Sequence, residues 1–590
     1  MDIYTVTIII SIVVYVAIGN YAGRGVRGLD DYYVAGRRAP TLVIVGTLVA
    51  SLMSATMFLG EAGFSYAGQA GPYMLWPQTP VIGYVLGAIL FGRYLRRSRA
   101  TTVAAFFGER FASRRVQAIA GYTIVFALGG YLLAVTQGAG ILLSEITDLT
   151  YTQALIVAWL SYTFFTIYSG SRGVILTDTL MFLLFSVASV GAIIFLVSHF
   201  GGWIAVLEGM TQVEGKAGLM SWHGIIGEGT YWPTAADYLI WGVIIDLSWL
   251  MVYAVSPWQS SRHLMARNEH VVMRAAIIAC LVVVLLQVLV YGLGGMINLG
   301  NPNIEPYERA TIWASLNLLP PILGALMLAG ITAAALSSAS TFLSLVGFSA
   351  TQDIGLFKDR SDAQTLTLSR VIMLGLGALA LAVALVSPPD IFWLMIFIGT
   401  IFASSWGPVA IMSIWSRRLT EAGAFWGMLA GLLGNVVPKF FEVLELIVLP
   451  SYLEPALIGV VCSLTVAIVV SRNTTVSRAE ADYLKQLHET PAEDVSEART
   501  RWTLWAPAAL LLVNGLVMPY LLLNYYVFPY QRISGQLTPD GSINWAYGEP
   551  WVASSWCGVY VTLSLLAMWV IRRDYRPGRA RRANAGEPVI

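Results

Sequence analysis

The chain has 590 residues, 57% of them hydrophobic and only 12% charged, with 35 Lys and Arg against 34 Asp and Glu. A soluble protein of this length carries about twice that charged fraction, and a net charge of +1 gives no basis for a nucleic-acid partner. Three scattered cysteines, Cys280, Cys462 and Cys557, have neither the pattern of a disulfide framework nor metal-ligand spacing.

Apolar runs of about twenty residues, each long enough to cross a bilayer as a helix, recur from end to end. The first, near 3–22, has Asp2 ahead of it and no basic segment, so it reads as a retained helix rather than a cleaved signal peptide. Further spans are read near 41–66, 73–95, 117–143, 151–169 and 174–199, then near 237–258, 272–298, 319–348, 368–387 and 391–416. Four more follow near 422–440, 444–471, 503–528 and 554–571, for fifteen in all. The fold class is an all-α polytopic membrane protein, with the plasma membrane, of the bacterial inner-membrane type, as the expected location.

Arginine sets the orientation. Alternate connections are basic: Arg24 to Arg38, Arg93 to Arg99, Arg172, Arg262 to Arg274, Lys358 and Arg360, Arg417 and Arg418, Arg472 and Arg478, and the tail from Arg572 to Arg582. In the intervening connections Lys216, Arg309, Lys439 and Arg532 stand alone. With fifteen spans all the basic loops share one side, which puts the N-terminus outside and the C-terminus in the cytoplasm. Segment 472–502, of mixed charge and with Pro491, reads as a cytoplasmic linker; 200–236 and 529–553 read as long external loops.

GRGVRG at 23–28 fits a dinucleotide-binding pattern but follows a membrane span rather than a strand, so it carries no such function. No Walker A sequence occurs, and no cluster of His, Cys or acidic residues marks an enzyme site; the five histidines, His199, His223, His263, His270 and His488, fall in or beside expected loops. Neither an enzyme activity nor an organic cofactor is expected.

Two spans are unusual. The second is interrupted by Ser51, Ser54, Thr56, Gly60, Glu61 and Gly63. Two readings stay open: a small-residue packing face, or a discontinuous helix whose freed carbonyls coordinate an ion. The ninth contains AAALSSAST at 333–341, with Ala334, Ser337 and Ser338 at i, i+3 and i+4 on one helical face. It too is either a tight packing surface or part of an oxygen shell of the kind hard cations prefer.

Four stretches, in this order, carry a resemblance: DDYYVAGRRAP at 30–40, IYSGSRGVILTD at 167–178, ITAAALSSASTFLSLVGFSATQDI at 331–354 and PVAIMSIWSRRLTEAGAFWGMLAG at 408–431. The chain resembles the sodium:solute symporter family. That resemblance implies an inverted repeat of five plus five helices of the leucine-transporter type. Residues 1–40 would hold an extra span and its loop, 41–200 the first repeat, 237–418 the second, and 419–590 additional spans around the linker 472–502. It also implies a sodium ion held by the carbonyls of Ala50, Met53 and Ala334 and the hydroxyls of Ser337 and Ser338, with Asp178 on the inward sodium exit.

In the seventh span Trp249, Tyr253 and Pro257 reproduce the spacing of the proline symporters' substrate helix, and Tyr253 falls where the family's sugar symporters have a gating tyrosine. Asp246 lies three residues before Trp249 on the same face. The substrate and gate set on this reading is Thr56, Met57, Gln78, Asp246, Trp249, Tyr253, Pro257 and Thr400. Thr56, Met57 and Thr400 stand where sugar symporters have sugar-binding groups, and a pocket this apolar argues against a sugar. Leu52 replaces an acidic residue of the proline symporters, which argues against proline. The leading function is sodium-coupled import of a small organic solute, such as an amino acid or monocarboxylate, by alternating access, with Na+, the solute and the bilayer as partners and no obligate protein partner. The alternatives are a proton-coupled or uncoupled transporter, for which Asp246 and Glu61 speak, and a transporter-like sensor, for which the short basic tail past Tyr575 offers no signalling domain.

Overall fold

The computed structural model describes residues 2–26, 28–69, 75, 78–354, 361–387 and 390–576. Lys358, Arg360, the tail arginines beyond Arg576, the start of the expected 73–95 span and the His223 side chain lie outside the described residues. Among those described, twelve helices are long and apolar enough to cross a membrane, and the bent pair Thr41–Leu52 and Thr56–Tyr66 makes thirteen. Among the described residues the only β pairing is two isolated bridges, Ala39 with Ala266 and Ile226 with Trp232.

Three expected spans take other forms. The third is helical from Gln78 to Ser98 but is interrupted at Ile82 and carries a π-helical turn over Ala88–Gly92. The fifth and sixth run together as Tyr151–His199, 49 residues with a break at Gly170. A straight helix of that length would measure about 74 Å, more than twice the ~30 Å hydrocarbon core. The break at Gly170 divides it into two arms joined by a single residue. Gly170 has φ 53°, and a Cβ there would sit 2.5 Å from the Tyr32 ring, so no other residue fits without displacing Tyr32.

Other breaks follow from local chemistry. Pro257 disfavours helix at the residue before it, and Ala235–Val255 stops at Ser256, which is extended in ψ; Pro257 then opens the helix Pro257–Met265. The thirteenth span begins at Pro455 rather than at 444, because 444–454 holds Glu445 at φ 55° and a 3-10 turn at Ser451–Leu453 between two prolines. The 200–236 connection contains a helix, Trp203–Thr211.

Burial separates the core spans from the lipid-facing ones. The apolar window of Pro321–Asp353 is 83% buried and that of Ile391–Trp415 is 78%, against 17% for Ile3–Gly23 and 28% for Asp362–Val386. The ninth span is thus the central post of the bundle, which is why its side chains are small: a Cβ on Gly330 would lie 3.1 Å from the Phe185 backbone.

The connections gather at two opposite ends. At one, Arg37 donates to the carbonyls of Arg99 and Ala100, Arg172 to Gly25, and Arg96 to Ala266 and Arg267. At the other, Lys216 donates to Asn298 and Pro302, Arg309 pairs with Glu145 at 3.1 Å, and Tyr526 donates to the Met220 carbonyl.

The 472–502 segment is not a loose linker. It forms the helix Arg478–Leu487 and is fastened to the basic end. Arg110 donates to the Glu480 carbonyl at 3.0 Å, Arg97 to Leu487 at 3.0 Å, and the His488 ring bonds the Ile414 carbonyl. Arg97 also pairs with the buried Glu269, which accepts a 2.5 Å bond from Tyr575 at the end of the last span.

Candidate functional site

The helix Thr41–Leu52 ends because Ser54 and Thr56 offer the backbone local alternatives to the helical ladder. The Ser54 N–H turns to the Leu52 carbonyl and the Met57 N–H to Ser54, while the Ser54 hydroxyl takes the Thr56 N–H at 3.1 Å and bonds the Thr56 hydroxyl. In an unbroken helix Ser54 and Met57 would have served the carbonyls of Ala50 and Met53. Those two oxygens are released at the break, where the chain bends by 51°.

The four hydroxyls of AAALSSAST have separate partners. Ser340 bonds its own helix, at the Ser337 carbonyl. Thr341 accepts from Arg262 at 2.6 Å. Ser337 donates to Asp178 at 2.7 Å. Ser338 points at the break in the second span, 3.5 Å from the Ala50 carbonyl and 3.4 Å from that of Ser51. Those distances are at the long limit for an O–H···O bond. They match oxygens that share a cation: two ligands about 2.4 Å from one ion and at right angles stand about 3.4 Å apart. Ala50, Met53, Ala334, Ser337 and Ser338 are all fully buried, and Ala334 lies one turn from Ser338 on the same face. Among the described residues no cluster of three His, Cys, Asp or Glu could hold a metal ion.

Asp178 sits directly behind. Its carboxylate accepts from Thr47 at 2.5 Å and from Ser337, and faces the Arg262 guanidinium at 3.5 Å. Both charged side chains are almost wholly buried, at 0% and 2% exposure. Arg262 reads from sequence as a loop cation; instead it lies on the buried helix Pro257–Met265, as does His263. His270 is also buried, held by Thr503 and the Asp494 carbonyl.

The substrate-side residues divide. Trp249 and Tyr253 come together, with ring centroids 6.1 Å apart, and Tyr253 lies 5.0 Å from the Tyr84 ring. Gln287 donates to the Tyr253 hydroxyl at 3.2 Å, and the Tyr84 hydroxyl donates to Gln259 at 3.1 Å. Pro257 and Met57 are buried close to the same breaks. Several buried polar atoms here have no protein partner: Trp249 Nε1, Gln287 Oε1 and Gln259 Nε2. Buried groups of this kind are nearly always satisfied, so their partner is water or a polar solute. Two residues point elsewhere. Gln78 donates to Ser555 on the last span, and Thr400 accepts from Asn435 on the twelfth. Asp246 is half-buried and has no hydrogen bond or ion pair among the described residues.

The sequence model of the sodium:solute symporter family matches residues 32–431, well over half of the chain. The chain belongs to the sodium:solute symporter family. It is thus an integral, multi-pass protein of the plasma membrane. It is 25% identical over 414 residues to the sodium/pantothenate symporter of Escherichia coli (strain K12), covering 68% of this chain and 83% of that protein. It is 26% identical over 490 residues to the sodium/proline symporter of Haemophilus influenzae (strain ATCC 51907 / DSM 11121 / KW20 / Rd), covering 76% and 91%. Its fold matches a solved substrate-bound, outward-open Na+-coupled sialic acid symporter with a TM-score of 0.66, at 17% identity, over 81% of this chain and 99% of that one.

Against this family background, the residues that sequence reasoning left out of the site are those paired across long separations. Arg262 and Thr47 reach Asp178 from two different spans. Glu61, in the second half of the broken span, is bonded by the Tyr291 hydroxyl. Gln287 and Tyr291 stand at i and i+4 in an otherwise apolar run, and that polar pair in a membrane helix is the signal that could have found them.

Proposed function

We propose that this protein is a sodium-driven symporter that imports a small organic solute by alternating access. The observation that carries the reading is the Ser338 hydroxyl facing the released Ala50 carbonyl, and that of Ser51 beside it, from another span. Sodium at Ala50, Met53, Ala334, Ser337 and Ser338 ties the broken second span to the central ninth and favours the outward-open state. The solute then binds beside Trp249, Tyr253 and Gln287, under the Tyr253 ring. Closure follows, and sodium leaves inward past Asp178. The mix of unpartnered donors and acceptors suits a small polar solute such as an amino acid or a carboxylic acid.

The test is uptake into vesicles of a panel of labelled amino acids, monocarboxylates and pantothenate, with and without an inward sodium gradient. We expect at least one solute to accumulate tenfold or more only with sodium. Accumulation driven equally by a proton gradient alone would sink sodium coupling. Glu61 on Tyr291 and the unpaired Asp246 favour proton coupling as the second reading. Asp246→Asn cannot ionise, and an unpaired acid in a span costs several kcal/mol unless it is neutral, hydrated or paired. We expect the variant to lower uptake strongly at unchanged expression. Wild-type rates across roughly pH 5 to 8 would leave Asp246 a packing residue.

The topology we propose has fifteen crossings, the N-terminus outside and the C-terminus cytoplasmic, with repeats at 41–200 and 237–418. The two-ended gathering of the connections supports it. Cysteines at Gly215 and Asn544 should react with an impermeant reagent from outside and one at Glu489 should not; outside labelling at 489 breaks the count.

A further inference from the structure

The last span, Gly548–Asp574, buries one face through Tyr560, Ala567, Ile571 and Asp574. Along its other side runs a groove of about 370 Å³, lined by Leu565, Met568, Trp569, Arg572, Arg573 and Arg576. The spacing i, i+3/i+4, i+7, i+8 puts the first five on one stripe, and Arg576 joins them just past the helix end at Asp574. The stripe changes character along its length. Leu565 and Trp569 are 57% and 55% exposed within an apolar span; three guanidinium groups follow.

Arginines at the cytoplasmic end of a span are ordinary. The groove here is more specific. Arg573 is held in place: its guanidinium stacks 4.4 Å over the Trp569 ring and bonds Asp574 at 2.8 Å, while Asp574 is itself fixed by the buried Arg93. Asp574 is therefore already countered from within the protein. Arg572 and Arg576 are exposed and make no hydrogen bond or ion pair with the described residues. The walls read apolar, then aromatic, then cationic, which is the order in which a bilayer passes from acyl chain through interface to headgroup.

We infer that this groove binds an acidic glycerophospholipid, with its phosphate between Arg572, Arg573 and Arg576 and an acyl chain along Leu565 and Met568. Guanidinium forks suit phosphate oxygens, and the apolar walls give a lipid an advantage that a free phosphate lacks.

The full-length protein, purified in detergent, is titrated with phosphatidylglycerol, phosphatidylcholine or inorganic phosphate, and bound lipid is counted by native mass spectrometry. Three arginines near a headgroup predict roughly 100-fold preference for phosphatidylglycerol over phosphatidylcholine. R572Q/R576Q, which alters only exposed side chains, is expected to abolish most of that preference. R417Q/R418Q removes the same charge from another exposed site at the basic end and is expected to keep it. Equal binding of the two lipids overturns the site, as does equal loss in both double variants. Inorganic phosphate that competes as well as phosphatidylglycerol would overturn the lipid assignment.

Discussion

Asp178→Ala is expected to be the most damaging single substitution near the site. It leaves Arg262 charged, fully buried and without its counter-ion, and it strips Thr47 and Ser337 of their acceptor. Breaking a buried pair from one side costs about 3–5 kcal/mol, whereas replacing both partners by apolar groups is often nearly neutral. The single variant should therefore lose most of its folded yield and melt several degrees lower in detergent. Asp178→Ala combined with Arg262→Met should recover folding but not transport, because the acid proposed to pass sodium inward is gone. Equal stability of the single and double variants, measured by thermal unfolding, would mean the pair does not hold the fold.

The second large effect is on sodium itself. Ser337→Ala with Ser338→Ala removes two of the five proposed ligands from a site that has no carboxylate among them. Each oxygen–cation contact of this kind contributes on the order of 1.5 kcal/mol, by analogy with hydrogen bonds to charged groups. Together they predict a rise of roughly 100-fold in the sodium concentration for half-maximal uptake. The small, fully buried positions tolerate alanine sterically, so the purified protein should remain folded. An unchanged sodium dependence would place the ion elsewhere.

Much of this architecture was legible in the sequence because a membrane forces long apolar runs and makes every polar residue within them conspicuous. The broken second span announced itself through Ser54, Thr56 and Gly60, and the ninth through AAALSSAST. Illegible were contacts set by tertiary packing. Arg262 looks like a loop cation because its partner Asp178 is 84 residues away in the chain. The docking of 472–502 depends on Arg97, Arg110 and Ile414, none of which is local to it. Gln78 and Thr400 belong to interfaces with later spans, which no reading of the repeat alone would have suggested.

The absence of a loop at Gly170 has a mechanical meaning. The fifth and sixth spans share one pivot, pinned where Tyr32 packs on Gly170 and the Ser171 hydroxyl bonds the Tyr33 carbonyl. Asp178 lies eight residues further on, a lever arm of about 12 Å. A tilt of about 5° at the fulcrum displaces its carboxylate by roughly 1 Å, enough to part it from a hydroxyl at hydrogen-bonding distance. With no slack in the joint, a small rotation of the sixth span is geared directly to the grip of Asp178 on Ser337, and so to how firmly the inner door of the proposed sodium site is latched.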